Sequence, residues 1–299
     1  MTPRRALIFD LDETLLADGA DTWAALLATS AWACVRLAQL GQSNPRVIAE
    51  TLAQATHARA QSLWARSPAA DYCQRIGISA GEGLWGRFTG DDPGLQTLAA
   101  WAPGYQRGAW TGALAGLGVG SVPAHALAPE LAARFRAERL PRQTLFPEVI
   151  EVLRAFQAQR AQYALALLTN GAPDVQRDKL TGAGLTSYFE AITISGEMGI
   201  GKPDPRIFAH TLTALGAVAT DAANAANAVN AVNAVNAANA VMVGDSLARD
   251  IAGARRSGMR AIWICRAADT APAPADADET PDATPDATIG SLRELAGVL

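Results

Sequence analysis

Five short apolar runs punctuate the chain, at residues 6–10, 163–169, 191–195, 241–244 and 260–265. None alternates apolar with polar residues, so each predicts a strand buried on both faces of a parallel sheet. Between the later runs, apolar positions recur at helical spacing over residues 147–160, 173–183, 205–215 and 246–257. Pro147, Pro173 and Pro205 stand where a proline fits the first turn of a helix. Strands alternating with helices predict an α/β fold, a Rossmann-like doubly wound parallel sheet. Ligands of such sheets bind at the C-terminal strand ends, near the switch in strand order.

The gap between the first and second runs is too long for one crossover. Residues 18–144 fill it with Ala, Leu and Arg at helical spacing, interrupted by glycine-rich turns. This predicts a helical domain at 18–144, inserted into a core formed by 1–17 and 145–299. Six of the seven tryptophans fall in the insertion: Trp23, Trp32, Trp64, Trp85, Trp101 and Trp110. They read mainly as core residues. Two segments of low complexity interrupt the core. In 221–240 an asparagine recurs every third residue from Asn224 to Asn239. A period of three drifts about 60° per step on a helix, so it builds no face, and the segment reads as a solvated loop. Residues 267–288, rich in Ala, Pro and Asp, read as an acidic linker before a last short helix at 291–299.

Composition narrows the function. The 299 residues carry 25 Lys+Arg against 29 Asp+Glu, a net charge of -4. No basic stripe points to nucleic acid or an anionic membrane. Cys34, Cys73 and Cys265 are isolated, which fits free thiols in a reducing cytoplasm rather than a disulfide framework or a zinc site. No secretory leader is read at the start, and the most apolar stretch, 23–40, contains Arg36 and is short for a bilayer span. The expectation is a cytoplasmic protein with no membrane and no nucleic-acid partner. His57, His125 and His210 have no metal-like spacing; His57 and His125 read as surface or structural residues and His210, on a core helix, as structural. Oligomeric state leaves no mark in the sequence.

Four polar motifs follow predicted strands in order: Asp10-Leu11-Asp12-Glu13-Thr14, Thr169-Asn170-Gly171, Gly201-Lys202-Pro203-Asp204-Pro205 and Gly244-Asp245-Ser246 with Asp250. Singly, each is an ordinary turn or helix cap. Their order, their placement at strand ends and the long insertion after the first are together specific. The set resembles the haloacid dehalogenase (HAD) superfamily, in the branch with an α-helical cap after the first strand. It is similar there to phosphatases of the phosphoglycolate phosphatase and N-acylneuraminate-9-phosphatase type. The likeness is strong over 4–17 and 146–266 and vague over the insertion.

The resemblance implies a Mg²⁺-dependent phosphatase acting on a small phosphorylated metabolite. Asp10 is then the nucleophile that forms an aspartyl-phosphate, and Asp12 the acid and base for the leaving oxygen and the water. Mg²⁺ is held by Asp10 and Asp245, the Asp12 backbone carbonyl and, at the edge, Asp250. Thr169, Asn170, Gly171 and Lys202 bind the phosphoryl oxygens. Dehalogenating relatives lack an acid at the position of Asp12, and phosphonate-cleaving ones need a lysine in the cap, which 18–144 does not contain. A sugar phosphomutase of the same fold, or a binding protein that kept the fold without its chemistry, are the alternatives.

The basic residues add one clue. Arg outnumbers Lys 23 to 2. In such a chain a lysine reads as chosen for its compact charge, which favours catalysis by Lys202. Lys179 reads as an ordinary helix residue. Arg36, Arg87 and Arg107 of the insertion could bind an acidic substrate, but read first as solvent-exposed.

Overall fold

The structure, a computed structural model, describes residues 4–42, 44–219, 237–266 and 283–299. The chain divides into two compact units. The first, the sheet unit, comprises the chain up to Ala17, Leu145–Asn170 and the chain from Gly184 onward. The second, the helical unit, comprises Asp18–Thr144 and Gly171–Ala183. Residues 171–183 thus group with the inserted helices, although they follow a strand of the sheet.

The five apolar runs form strands β1 (Arg5–Phe9), β2 (Tyr163–Thr169), β3 (Ala191–Ile194), β4 (Ala240–Gly244) and β5 (Arg260–Ile264). A sixth, β6 (Ala287–Ile289), completes an all-parallel sheet in the order β3-β2-β1-β4-β5-β6. The order reverses between β1 and β4, the crevice where open α/β sheets bind ligands. The runs are unbroken because both faces are covered. Ala6, Ile8, Ala164, Ala166, Met242 and Ala261 share one buried core with Ile207 and Phe208 of the helix Pro205–Ala219. Leu7, Phe9, Leu165, Leu167 and Val243, at the alternate positions, are buried as well. Beside β2 lies α7 (Val149–Ala158), with Phe156 edge-on to Tyr163 at 5.0 Å between ring centres.

Several expectations for the later part of the chain are corrected. The linker read over 267–288 does not reach its stated end, because Ala287–Ile289 is β6. Three residues are too few to show a strand pattern; the Asp286 N–H to the Ala261 carbonyl (2.8 Å) and the Cys265 N–H to the Ile289 carbonyl (2.9 Å) hold them in register. The helix expected over 246–257 opens as a π-helix, Leu247–Ile251, before the α-helix Ala252–Arg256. The Ser246 carbonyl accepts from both the Asp250 N–H (2.9 Å) and the Ile251 N–H (3.2 Å), which widens the turn. The closing helix is a 3₁₀ turn, Leu292–Glu294, followed by Leu295–Val298. Of the asparagine repeat, 221–236 lies outside the described residues, Ala237–Asn239 is a 3₁₀ turn and Ala240 already belongs to β4.

The helical unit is built from α1 (Asp18–Gln39), α2 (Ala49–Trp64), α3 (Ala70–Ile76), α4 (Ala80–Gly83), α5 (Pro93–Gly116), α6 (Ser121–Arg139) and α8 (Pro173–Gly182). Trp85 and Trp110 are fully buried in its core, and Trp23, Trp32, Trp64 and Trp101 pack against it, in agreement with the core reading. Lys179 is not an ordinary helix residue. It is completely buried, and its Nζ lies 2.9 Å from Asp18 and 3.5 Å from Glu82. The fully buried Arg139 also pairs with Asp18. Among the described residues, no helix is long and apolar enough to cross a membrane.

Candidate active site

β1 delivers Asp10 to the switch point. Its N–H still bonds the Val243 carbonyl (3.0 Å), so the first residue beyond the strand is held by the ladder. The chain then turns sharply. Leu15 and Leu16 both donate to the Leu11 carbonyl (2.8 and 3.0 Å), and Glu13 donates to the Leu16 carbonyl (2.7 Å). Glu13 takes a left-handed φ of 57°, a strain of ~1–2 kcal/mol for a side chain with a Cβ.

β4 ends one strand away at Gly244. A Cβ there would lie 2.3 Å from an Asp250 carboxylate oxygen, so glycine lets that side chain fold back against the strand end. The Ser246 N–H donates to Asp250 Oδ2 (3.0 Å), closing the same turn. The Asp245 backbone carbonyl accepts from the Trp263 indole (2.8 Å), and Thr14 Oγ1 donates to Asp245 Oδ1 over a long 3.5 Å. One carboxylate oxygen each from Asp10, Asp245 and Asp250 lies within 4.8 Å of the others.

Lys202 enters from the segment between the short helix Ser195–Met198, which follows β3, and the helix Pro205–Ala219. Its buried Nζ donates to Asp10 Oδ1 (2.6 Å) and to the Leu168 carbonyl (2.9 Å), and lies 2.7 Å from Asp250 Oδ1. Asn170 braces it. The Asn170 amide donates to the Lys202 carbonyl (3.0 Å) and accepts from the Lys202 N–H (2.8 Å).

The charges do not balance. Three buried or half-buried carboxylates face one ammonium. Burial pushes the Asp10 carboxyl up, with Asp250 adding to it and Lys202 offsetting it. Burial, then Asp10 and Asp250, push Asp245 well above the usual carboxylate range. Burial opposes the charge on Lys202, but Asp10 and Asp250 outweigh it and push its pKa up, so it stays an ammonium.

The excess negative charge and the all-oxygen donor set fit a hard divalent cation such as Mg²⁺. The three oxygens, all within 4.8 Å of one another, are grouped closely enough to turn toward a single ion.

Asp10, Lys202, Asp245 and Asp250 are therefore brought together. Asn170 joins them through the Lys202 backbone. Thr169 is buried at the end of β2, and its hydroxyl contacts the Asn170 carbonyl (3.4 Å). Asp12, expected as acid and base through its side chain and as a cation ligand through its backbone carbonyl, is half-buried, bridges to Leu16 and, among the described residues, is outside the three-carboxylate group. Gly171, with φ 145°, groups with the helical unit. Sequence reasoning missed Thr14, which stood inside the first motif, and the buried setting of Lys179, for which the scarcity of lysine was the available signal.

Known proteins agree with this architecture. A family model described as haloacid dehalogenase-like hydrolase matches residues 4–258. The phosphoserine phosphatase of Thermus thermophilus is 38% identical over 291 residues, covering 97% of this chain and 97% of that protein. The N-acylneuraminate-9-phosphatase of Rattus norvegicus is 34% identical over 139 residues, 46% of this chain and 48% of that protein. The HAD-hydrolase YfnB of Bacillus subtilis has the same fold, with a TM-score of 0.55 at 19% identity over 100% of this chain and 99% of that one. The chain belongs to the haloacid dehalogenase-like hydrolase family, as an enzyme of the phosphatase kind.

Proposed function

We propose that this enzyme hydrolyses a small soluble phosphomonoester, with Mg²⁺ as cofactor, through an aspartyl-phosphate on Asp10. The observation that carries the proposal is Lys202 seated between Asp10 and Asp250, with Asp245 closing the group at the switch point of the sheet. Residues 1–17 and 145–299 are the proposed catalytic core, and 18–144 the proposed cap.

Asp10, Asp245 and the Asp12 carbonyl, with Asp250 at the edge, are the groups that would hold Mg²⁺. When bound, the ion supplies positive charge that offsets the carboxylates and the phosphoryl oxygens. Lys202 places an ammonium on Asp10 Oδ1, which orients the carboxylate for in-line attack on phosphorus and favours its ionised form against burial. The attack forms the Asp10–phosphorus bond and breaks the bond to the leaving oxygen, which Asp12 protonates. Asp12 then takes a proton from water as the water attacks phosphorus, freeing Asp10 and inorganic phosphate. The Thr169 hydroxyl and the Asn170 and Gly171 N–H groups bind the phosphoryl oxygens. Asn170 is stiffened for this by its paired bonds to Lys202.

The relative that covers 97% of both chains is a phosphoserine phosphatase, which makes O-phosphoserine the first substrate to try. The test is phosphate release from O-phosphoserine and a panel of sugar and carboxylate phosphomonoesters, with Mg²⁺ and with EDTA. Mg²⁺-dependent release supports the proposal. Conversion of phosphosugar isomers without phosphate release replaces it with a mutase; inertness toward every ester with every divalent ion replaces it with a binding protein.

A further inference from the structure

The seventh tryptophan stands apart. Trp263 lies on β5, a strand that carries no expected site residue, and pairs in register with Gly244, the residue before Asp245. Its indole Nε1–H reaches past the last ladder position to the Asp245 backbone carbonyl, at 2.8 Å. Arg266, just beyond the strand, extends the same contact surface. Its Nη2 donates to the Thr14 carbonyl (2.6 Å), its Nη1 pairs with Glu148 (2.8 Å), and its guanidinium lies 3.5 Å from the centre of the Phe146 ring. Thr14 in turn directs its hydroxyl at Asp245 Oδ1 (3.5 Å). The end of β5 therefore touches both the backbone of Asp245 and the segment that follows Asp10.

Asp245 needs such support. Its carboxylate is held within 4.8 Å of two others, and like charges drive it away. Rotation of the backbone between Gly244 and Ser246, where the β4 ladder has ended and the π turn has not begun, would carry the carboxylate out of the group. A donor fixed on the Asp245 carbonyl opposes that rotation. Trp263 supplies the donor from a half-buried ring that the sheet already orders.

Resting on the function proposed above, we infer that Trp263 is a positioning residue, which holds Asp245 in the direction required to bind the divalent cation. Arg266 supports the facing segment through Thr14. Trp263 touches neither substrate nor cation; it acts through the Asp245 peptide.

Trp263→Phe keeps a ring and deletes the N–H. In the folded variant, calorimetric titration should show Mg²⁺ binding weakened about five- to tenfold, the weight of one hydrogen bond. KM for the ester at saturating Mg²⁺ should stay unchanged, and the thermal midpoint in EDTA should move little. In the native protein labelled with 5-fluorotryptophan, the ¹⁹F resonance that this variant lacks should shift on adding Mg²⁺. Unchanged Mg²⁺ affinity in a folded variant overturns the inference while leaving the phosphatase intact. If the variant does not fold, the native ¹⁹F spectrum decides: a tryptophan signal that responds to Mg²⁺ supports the inference, and seven unresponsive signals overturn it. Failure of the native enzyme to bind Mg²⁺ at all overturns the parent proposal instead.

Discussion

The two lysines of this chain occupy closely comparable surroundings and do different things. Each is buried against two carboxylates: Lys202 against Asp10 and Asp250 in the sheet unit, Lys179 against Asp18 and Glu82 in the helical unit. The difference is in the count of charges. Around Lys179, Arg139 supplies a second cation, so two cations meet two acids. Lys179 and Arg139 together overcome burial and hold the Asp18 carboxyl below its ordinary range. Around Lys202, Asp245 supplies a third acid and no second cation joins among the described residues; burial, and after it the neighbouring acids, push Asp10 and Asp245 up. A balanced buried cluster is a joint. An unbalanced one is a site that gains stability from a further positive charge, and this is where the proposed chemistry is placed.

The largest effect should come from Asp10→Asn. Turnover is expected to fall about 10⁴-fold with the fold retained, as is usual for removal of a nucleophile; steady-state phosphate release and far-UV circular dichroism on the same sample check it. Near-normal turnover would remove Asp10 from its role.

The paired substitutions Lys202→Met and Lys179→Met break the comparison directly. Lys202→Met should lower turnover by about 10³-fold or more, because Asp10 loses its orienting cation. Lys179→Met leaves the Arg139 guanidinium to offset both Asp18 and Glu82 and should cost about 3–5 kcal/mol of stability. Urea unfolding measures that loss, while kcat at low temperature should stay within a small factor of the native value. If Lys179→Met instead lowers kcat as much as Lys202→Met does, with no loss of stability, the distinction drawn here is wrong.

Mg²⁺ should raise the thermal midpoint of the native enzyme. At a concentration 100 times its dissociation constant the gain is ~2.7 kcal/mol. Asp245→Asn should abolish most of it.

The smallest and most diagnostic effect is the dependence of stability on pH in EDTA. Asp10 and Asp245 titrate above their unfolded value near 3.9, so the folded state binds more protons there. Their effect is a loss of stability as pH rises from about 4 through their folded values. Asp18 has the opposite sign: its folded value is depressed, so its contribution is complete above ~3.9 and is lost as pH falls through the folded value. Melting in EDTA should therefore show stability declining toward neutral pH, and Asp245→Asn should flatten that decline without altering the acid limb. A decline that is undiminished in Asp245→Asn would exclude that group as a source and leave Asp10 alone in that role.

Much of this was legible in residue order alone. The runs that became β1 to β5 are continuous apolar segments because a central parallel strand meets hydrophobic neighbours on both faces, and that requirement is local. Asp10, Thr169, Lys202 and Asp245 could be selected because each stands at or just after the end of such a run or its following loop. What was misread has one cause. β6 has three residues and is held by Asp286 and Cys265 across the sheet edge, so its own composition carried no signal. The π turn after Asp245 arises from a shared carbonyl and the folded-back carboxylate of Asp250. Lys179 looked like any helix lysine because Asp18 and Glu82 are remote in sequence.

The sequence by itself determined the strands, the insertion and the residue types at the strand ends, because hydrophobic period and turn chemistry act over a few neighbouring residues. Only the tertiary structure decided which lysine is balanced, that Asp250 and Asp10 share one ammonium, and that Trp263 carries the Asp245 carbonyl. Those outcomes depend on charges and donors meeting across tens to hundreds of residues. Strand order and burial control that meeting, and no local pattern records it.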